Sequence, residues 1–485
     1  MRMILLLCLL SVPALAQPWR WADQYKVEDV LQDPEPFLGR YVEGEARFFA
    51  MARHPKSALT YDGWNLDEQG KPIGPRDFSA PSKESLDVAL LTKGIEGNPL
   101  AARLISPEAP ERAPQVAAEI LGRKLDSYWA WYRKYPGYGG YFPWFICGEA
   151  IEPTDNWVGA ICGLDNGEWV WSMLVAEREA RGRFPELAEK LHRFNSLLKE
   201  RATPIFYDPV AGLVRGDAKI VDMKDPNTGY LTNTKGARWL WGEHTVHEGV
   251  MLVMFVTLYG QGLPAEAQDR IWAGTRMLRI EHRYGTSWQA WYGSAHEEWA
   301  YLFLPYRDMP EYRHLFHIRQ AIRTQNANHR GYPGLHASAL TPGQKGYWTG
   351  AGIEDLGTQK LIHQDMFALY GAYPVILEDR AVGAAWLLNM LQAPGQQTEL
   401  GGGESGLMDG SAWCSSKTID GTFTILLAVM GGMEQETAAM LREEGRYDQF
   451  CEILSQEYRE AFGAAALQEP VGLVGPPGPV PRATP

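Results

Sequence analysis

The chain has 485 residues, a formal net charge of −13 at pH 7, 18 Trp, 22 Tyr and 5 Cys. That acidic balance excludes a phosphate backbone as the natural partner, because nucleic-acid binding needs basic patches. The length allows one large domain or two ordinary ones.

Residues 1–16 read MRMILLLCLLSVPALA. An early Arg, an apolar run and a small-x-small ending form a signal-peptide pattern with cleavage expected after Ala16, hence a periplasmic or secreted location. Cys8 sits inside the apolar run and is followed by Leu, which does not fit a lipoprotein start. Losing Arg2 takes the charge from −13 to −14. No later segment is long and apolar enough for a membrane helix, so no membrane anchor is expected.

Residues 17 to about 80 read as an irregular opening with one helix, closed by the turn-rich NLDEQGKPIGPRDF. SKESLDVALLTKGIEG then starts a helical pattern with a Ser cap and ends it at Gly. Further helices are predicted at 113–134, 167–182, 185–201, 244–260, 264–283, 295–306, 312–326, 361–376, 379–393, 420–431, 434–443 and 447–461. The exception is IFYDPVAGLVRGDAKIV, which predicts a small β-hairpin insertion. A dozen helices joined by Gly- and Trp-rich loops, without a fixed repeat, predict an all-α toroid rather than a solenoid. Residues 17–467 are read as that one domain, and the Pro/Gly-rich 468–485 as a disordered tail. Cys147, Cys162, Cys414 and Cys451 allow three disulfide pairings, among which the sequence does not choose.

Twelve of the Trp fall between Trp129 and Trp299, many beside Gly, Asn, Asp or Glu. Indole faces pack on the apolar face of a sugar ring while carboxylates and amides bind its hydroxyls, so a sugar cleft is favoured over a Trp-rich core. Four segments carry the candidate chemistry. In GLDNGEWVWSML, Asp165 reads either as a helix cap or as a cleft residue, with Glu168 and Trp169 on the opening turns. In WLWGEHTVHEGVML, Glu248 and Glu243 stand at the mouth of an apolar helix beside Trp241 and His247. Partial desolvation there raises a carboxyl pKa, as a general acid requires. In YGTSWQAWYGSAHEEWAYLF, Trp288 and Trp291 flank Glu297. In TIDGTFTILLAVMGG, Asp420 begins another apolar helix, where it reads either as an ordinary N-cap or as the second carboxylate that inverting hydrolysis needs. Tyr347, Trp348 and Glu354 complete the predicted substrate-binding set.

The H-x-x-H-E of residues 244–248 matches neither H-E-x-x-H nor H-x-x-E-H, and no G-x-x-x-x-G-K or G-x-S-x-G occurs. No metal and no cofactor are therefore expected. GGGESG (401–406) has no strand pattern before it and reads as a flexible loop near the cleft.

At these residues the chain resembles the endo-β-1,2-glucanases of bacteria and fungi and the wider bacterial glucoamylase-like group. TYDGWNLD, LDNGEWVWSML, FYDPVAGLVRGD, HTVHEGVML, GSAHEEWAYLF, RGYPGLHASA with KLIHQDMFALYGAYP, and TIDGTFTILLAVMGG follow in that family's order over most of residues 57–435. The resemblance implies an (α/α)6 barrel, a glucan polymer or oligosaccharide as partner, and inverting hydrolysis of β-1,2-glucan. It gives Glu248 the role of general acid and Asp420 that of general base, with Asp165 and Glu297 binding substrate. His247 stands where the family usually has Ser, and Thr422 follows Asp-Gly where the family has Asp-Gln-Gly. These departures leave exo action and glycosyl transfer as alternatives. A polysaccharide lyase on a helical toroid is a further one, although a −14 chain suits acidic polymers poorly.

Overall fold

The structure is a computed structural model that describes residues 19–232, 249–343, 346–348, 350–359, 363–463 and 471–481. Sixteen α-helices occur among them. In chain order they are α1 (Val27–Gln32), α2 (Glu35–Met51), α3 (Pro81–Glu96), α4 (Pro99–Ile105), α5 (Ala113–Lys134), α6 (Gly163–Arg183), α7 (Pro185–Phe206) and α8 (Val250–Tyr259). There follow α9 (Ala265–Gly274), α10 (Ala300–Phe303), α11 (Pro310–His329), α12 (Tyr373–Glu378), α13 (Arg380–Leu391), α14 (Ile419–Val429), α15 (Glu434–Glu443) and α16 (Tyr447–Phe462).

Two helix chemistries separate two rings. In α3, α8 and α14 nearly every residue is buried, and in α6 every residue from Asp165 to Glu177. A helix without a solvent face belongs inside other helices. These four join α10 and α12 in an inner ring, through the contacts α3–α6, α6–α8, α6–α10, α10–α12, α12–α14 and α14–α3. Among the outer helices, α5 and α7 carry an apolar stripe and a charged face, whereas α13 is mostly apolar. Helix α5 packs on α3, α7 on α6 and α8, α11 on α12, and α13 on α12. Polar side chains within the inner helices, such as Lys83, Glu84 and Asp87 on α3, must then find partners inside the ring.

Among the described residues, eight small sheets decorate the helices. The predicted hairpin is present: Tyr207–Asp208 pairs with Leu213–Val214, and Asp217–Ile220 joins a sheet with Ala160–Cys162 and Tyr230–Thr232. Several expectations are corrected. The helix predicted over 264–283 ends at Gly274, and Leu278–His282 instead pairs with Gly285–Gln289 as a β-hairpin. Within 361–376, Met366–Ala368 is a strand and only Tyr373–Glu378 is α-helix. In both, bulky and β-branched side chains find cross-strand partners that local helical spacing does not reveal.

The Pro/Gly-rich segment 471–481 is not loose. It runs extended along α11 and α13: the Trp386 indole donates to the Val474 carbonyl (2.8 Å), Asn389 to Gly478 (2.9 Å) and Gln325 to Gly472 (2.8 Å). Side chains of two finished helices supply the hydrogen bonds that this segment lacks by itself. Cys147, Cys162, Cys414 and Cys451 are all free thiols. No helix among the described residues is long and apolar enough to cross a membrane.

Candidate active site

Asp420 owes its position to a strand pair. Gly63–Leu66 runs antiparallel to Ser416–Thr418, with Gly63 opposite Thr418 and Trp64 opposite Lys417. A Cβ on Gly63 would fall 2.0 Å from the Lys417 carbonyl oxygen, so only glycine permits this approach. The pairing brings Asp62 to the start of α14, where its carbonyl accepts from the Ile419 N–H at 2.9 Å.

Thr418, not Asp420, caps α14, accepting the Gly421 N–H at 3.1 Å through its hydroxyl. Asp420 lies one turn-position further on and its carboxylate is free of capping duty. Its side chain is 13% exposed. Oδ2 meets the Lys83 ammonium at 2.6 Å, while Oδ1 has no hydrogen-bond partner among the described residues.

Lys83 comes from the first turn of α3 and also faces Asp62 at 3.7 Å. Asp62 is held independently, by Arg76 Nε at 2.6 Å and by the Tyr347 hydroxyl at 3.1 Å. Asp165, in the first turn of α6, accepts from the Trp144 indole (2.9 Å) and the Cys162 thiol (2.7 Å). Lys83 Nζ sits over the rings of Trp144 and Tyr347, at 5.3 and 5.2 Å from their centroids. Trp144 in turn lies nearly parallel to Phe78 and Trp157, at 6.2 and 6.3 Å. All three rings are half-buried, giving the acidic cluster an aromatic flank.

A fourth carboxylate reaches the cluster from GGGESG. This loop is buried and pinned rather than flexible: Glu45 accepts from the Gly402 N–H (2.6 Å), Lys417 donates to the Gly402 carbonyl (2.6 Å), and the two side chains pair at 2.8 Å. Glu404 is thereby delivered against Thr418, accepting its N–H (3.0 Å) and its hydroxyl (2.7 Å).

Electrostatics follow from this count of charges. Burial pushes the Asp420 carboxyl up to about 6; Lys83 opposes the rise, while Asp62 and Asp165 add to it. Burial likewise pushes Glu404 up to about 7, against the two Thr418 bonds and with Asp62 and Asp420. Burial works against the Lys83 charge, yet Asp420, Asp62 and Asp165 outweigh it and hold the ammonium above its ordinary range. A partly exposed carboxylate with a pKa near 6 is suited to proton transfer near neutrality. Net negative surroundings of this kind suit a cationic, oxocarbenium-like transition state.

The structure thus gathers Asp420, Asp165 and Tyr347 from the predicted set. Trp241, Glu243, His247 and Glu248 lie outside the described residues, as does the side chain of Trp348, whose backbone pairs with Ala339. Others sit elsewhere. Trp169 is fully buried against Tyr128, Phe142 and Phe194, a core position, and Glu168 beside it is also fully buried. Glu297 completes a capping box with Ser294 and is buried 3.8 Å from Arg319. Trp288 is buried under the Arg319 guanidinium at 4.5 Å, and Trp291 is 6% exposed. Glu354 is exposed and accepts from Gln364 at 3.0 Å. These placements follow packing: Glu168 is buried with Trp169, and Glu297 with Trp288 and Trp291. Lys83, Asp62, Arg76, Trp144 and Glu404 were missed. Lys83 carries no distinctive sequence signal among the other charged residues of α3, whereas Glu404 is a lone acid among four glycines.

Comparison with known proteins adds the identity. The family model described as endo-beta-1,2-glucanase SGL matches residues 59–484. A solved endo-β-1,2-glucanase from Talaromyces funiculosus in complex with sophorose shares 29% identity, covers 96% of this chain and 98% of its own, and superposes with a TM-score of 0.91. A mutant of that enzyme, in complex with β-1,2-glucan, matches equally well. An endo-β-1,2-glucanase from Chitinophaga pinensis (14% identity, 92% and 99% coverage, TM-score 0.60) shares the fold. So does a putative glucoamylase from Bacteroides fragilis (11%, 89% and 97%, TM-score 0.63). A search of curated proteins finds no match. The fold is the (α/α)6 barrel of the glucoamylase-like group, and the chain is a glycoside hydrolase that belongs to the endo-β-1,2-glucanase SGL family.

Proposed function

We propose that the chain cleaves β-1,2-glucan internally with inversion at the anomeric carbon, Asp420 acting as general base and Glu248 as general acid. Family membership supports hydrolysis of β-1,2-glucan, and the complexes of the Talaromyces relative contain sophorose and β-1,2-glucan. The observation that carries the assignment of Asp420 is its spare oxygen. A carboxylate that merely caps a helix spends its oxygens on backbone N–H groups. Here Thr418 caps, Lys83 takes Oδ2, and Oδ1 is left over.

With a pKa of about 6, Asp420 is ionised roughly ten to one at pH 7. Oδ1 then accepts a proton from the water that attacks the anomeric carbon, directly or through a substrate hydroxyl. The glycosidic C–O bond breaks as the new C–O bond forms, and Glu248 protonates the leaving oxygen, directly or through a substrate hydroxyl. Asp165 and Tyr347 offer hydroxyl partners, and the Phe78–Trp144–Trp157 row offers a face for a sugar ring. The signal-peptide pattern of residues 1–16 supports action in a periplasm or outside the cell.

Incubation with linear β-1,2-glucan, followed by chromatography and early-time NMR of the new reducing ends, tests this reading. The expected result is a spread of oligosaccharides whose new ends appear first as the α-anomer. No new reducing ends would defeat the substrate, glucose or disaccharide released from one end would defeat the endo mode, and first-formed β-anomer would defeat inversion.

A further inference from the structure

We propose that Lys83 is a positioning residue for this hydrolysis: its buried ammonium clamps Asp420 Oδ2, fixing the carboxylate's direction and keeping it ionised, so that Oδ1, buried and without a hydrogen-bond partner among the described residues, is kept for the proton of the attacking water. The inference rests on Asp420 being the general base. It adds a cation from a different helix as the group that makes Asp420 competent.

Lys83 is committed to Asp420 rather than shared evenly. The distance to Asp420 is 2.6 Å, against 3.7 Å to Asp62. Asp62 is already held by Arg76 and Tyr347, so it does not need the ammonium. The neighbouring acid on α3, Glu84, is likewise engaged elsewhere, accepting from Lys124 Nζ (2.6 Å), the Tyr128 hydroxyl (2.5 Å) and the Thr60 N–H (2.7 Å). Ser82 Oγ, at 3.4 Å, is the remaining polar neighbour. The faces of Trp144 and Tyr347 hold the ammonium from two further directions without competing for its charge. At 3% exposure the side chain has little room for another position.

Among the described residues, six titratable or charged groups gather around Asp420 and its partners. Asp62 and Arg76 come from the strand region before α3, Lys83 from α3, Asp165 from α6, Tyr347 from the strand Tyr347–Trp348, and Glu404 from the loop before α14. Three of the six are carboxylates, and Lys83 is the cation in direct contact with Asp420. Removing it leaves burial, Asp62 and Asp165 to raise the carboxyl, so Asp420 would hold its proton to higher pH. A base that holds its proton does not take one from water.

The test is the pH profile of kcat/KM on linear β-1,2-glucan for the wild type and for Lys83→Met, Lys83→Arg, Asp62→Asn and Asp420→Asn. For Lys83→Met the acid limb should move up by at least about one pH unit, because an opposite charge within contact typically shifts a carboxyl by one to three units. At the pH optimum kcat should fall about ten- to a hundredfold, because a loosened carboxylate loses alignment with the water. KM should change little. Lys83→Arg should return the acid limb most of the way to the wild-type position. Asp62→Asn should move it down, since one repelling charge is gone. A merely structural lysine would not give shifts of opposite sign in the two variants.

An inactive Asp420→Asn together with a Lys83→Met acid limb at the wild-type position overturns the role of Lys83 and leaves Asp420 as base. Wild-type turnover by Asp420→Asn overturns the base assignment itself. Should Lys83→Met fail to fold, Asp62→Asn decides: a downward shift supports the clamp, and no shift or an upward one overturns it.

Discussion

Around Glu298, two carboxylates face two guanidiniums; around Asp420, four carboxylates share one ammonium and one guanidinium. In the first cluster Glu298 binds Arg319 Nε (3.1 Å), Arg323 and Gln320, while Arg319 also donates to the Trp288 carbonyl at 2.7 Å. Glu297 and Glu298 are 3% and 0% exposed, charges are balanced, and the aromatic rings of Trp288 and Tyr301 stack beside them. In the second cluster charge is left unbalanced, the Asp420 side chain is 13% exposed, and its buried Oδ1 has no hydrogen-bond partner among the described residues. Acids beside tryptophans are common to both. On the assignment proposed above, the uncompensated charge and the spare acceptor are what separate the Asp420 cluster from the structural lock around Glu298.

The contrast breaks most sharply in turnover. Asp420→Asn should lose about 10²- to 10⁴-fold in kcat with its melting temperature close to wild type, because proton transfer in the transition state is worth about that much. Glu298→Ala should do the reverse. Stranding Arg319 and Arg323 in the core should cost about 3–5 kcal/mol by denaturant unfolding, with the rate per folded molecule within about threefold of wild type. A catalytic loss as large as that of Asp420→Asn would merge the two regions into one site.

Two tryptophans sharpen the same point. Trp169→Ala should destabilise by about 3–5 kcal/mol, as expected for a fully buried indole. Trp144→Ala, on the half-buried row beside Lys83, should instead raise KM for oligosaccharides, by about tenfold if the row carries one sugar contact worth ~1.4 kcal/mol. The smallest effect concerns stability and pH. Glu404 has its pKa raised by folding from 4.5 to about 7, so the folded state binds the extra proton. Its contribution is full below pH 4.5 and is lost as pH rises through 7. Glu404→Gln, which cannot ionise, should flatten the fall in melting temperature over that window; an unchanged slope would remove Glu404 from the site's electrostatics.

Much of this was legible in the sequence, and the reasons for the remainder are physical. The inner helices announced themselves because α8 and α14 are apolar on nearly every face, and 434–443 and 113–134 were placed to the residue by their periodicity. Asp420 and Asp165 stood out as acids at the mouths of such helices. The fold class followed from helix number and the ordered family motifs. Lys83 and Glu404 were hidden because their importance arises across sequence gaps: Lys83 meets an acid more than three hundred positions away, and Glu404 is aimed by Glu45 and Lys417. Trp169, Trp288 and Glu297 looked like cleft residues because composition does not say which side of a helix or hairpin faces the core. The segment 471–481 looked loose because its hydrogen-bond partners are supplied by α11 and α13.

The most direct test is a crystal structure of Asp420→Asn bound to a β-1,2-linked glucan long enough to span the cleavage point. The account predicts a glycosidic linkage beside residue 420, a water held by that side chain and aimed at the anomeric carbon, Lys83 within hydrogen-bond reach of the same side chain, and sugar rings against Trp144 and Tyr347. A glucan seated instead in the surface hollow lined by Glu281, His282, Arg330 and Asp355, with residue 420 remote from every sugar, would contradict it.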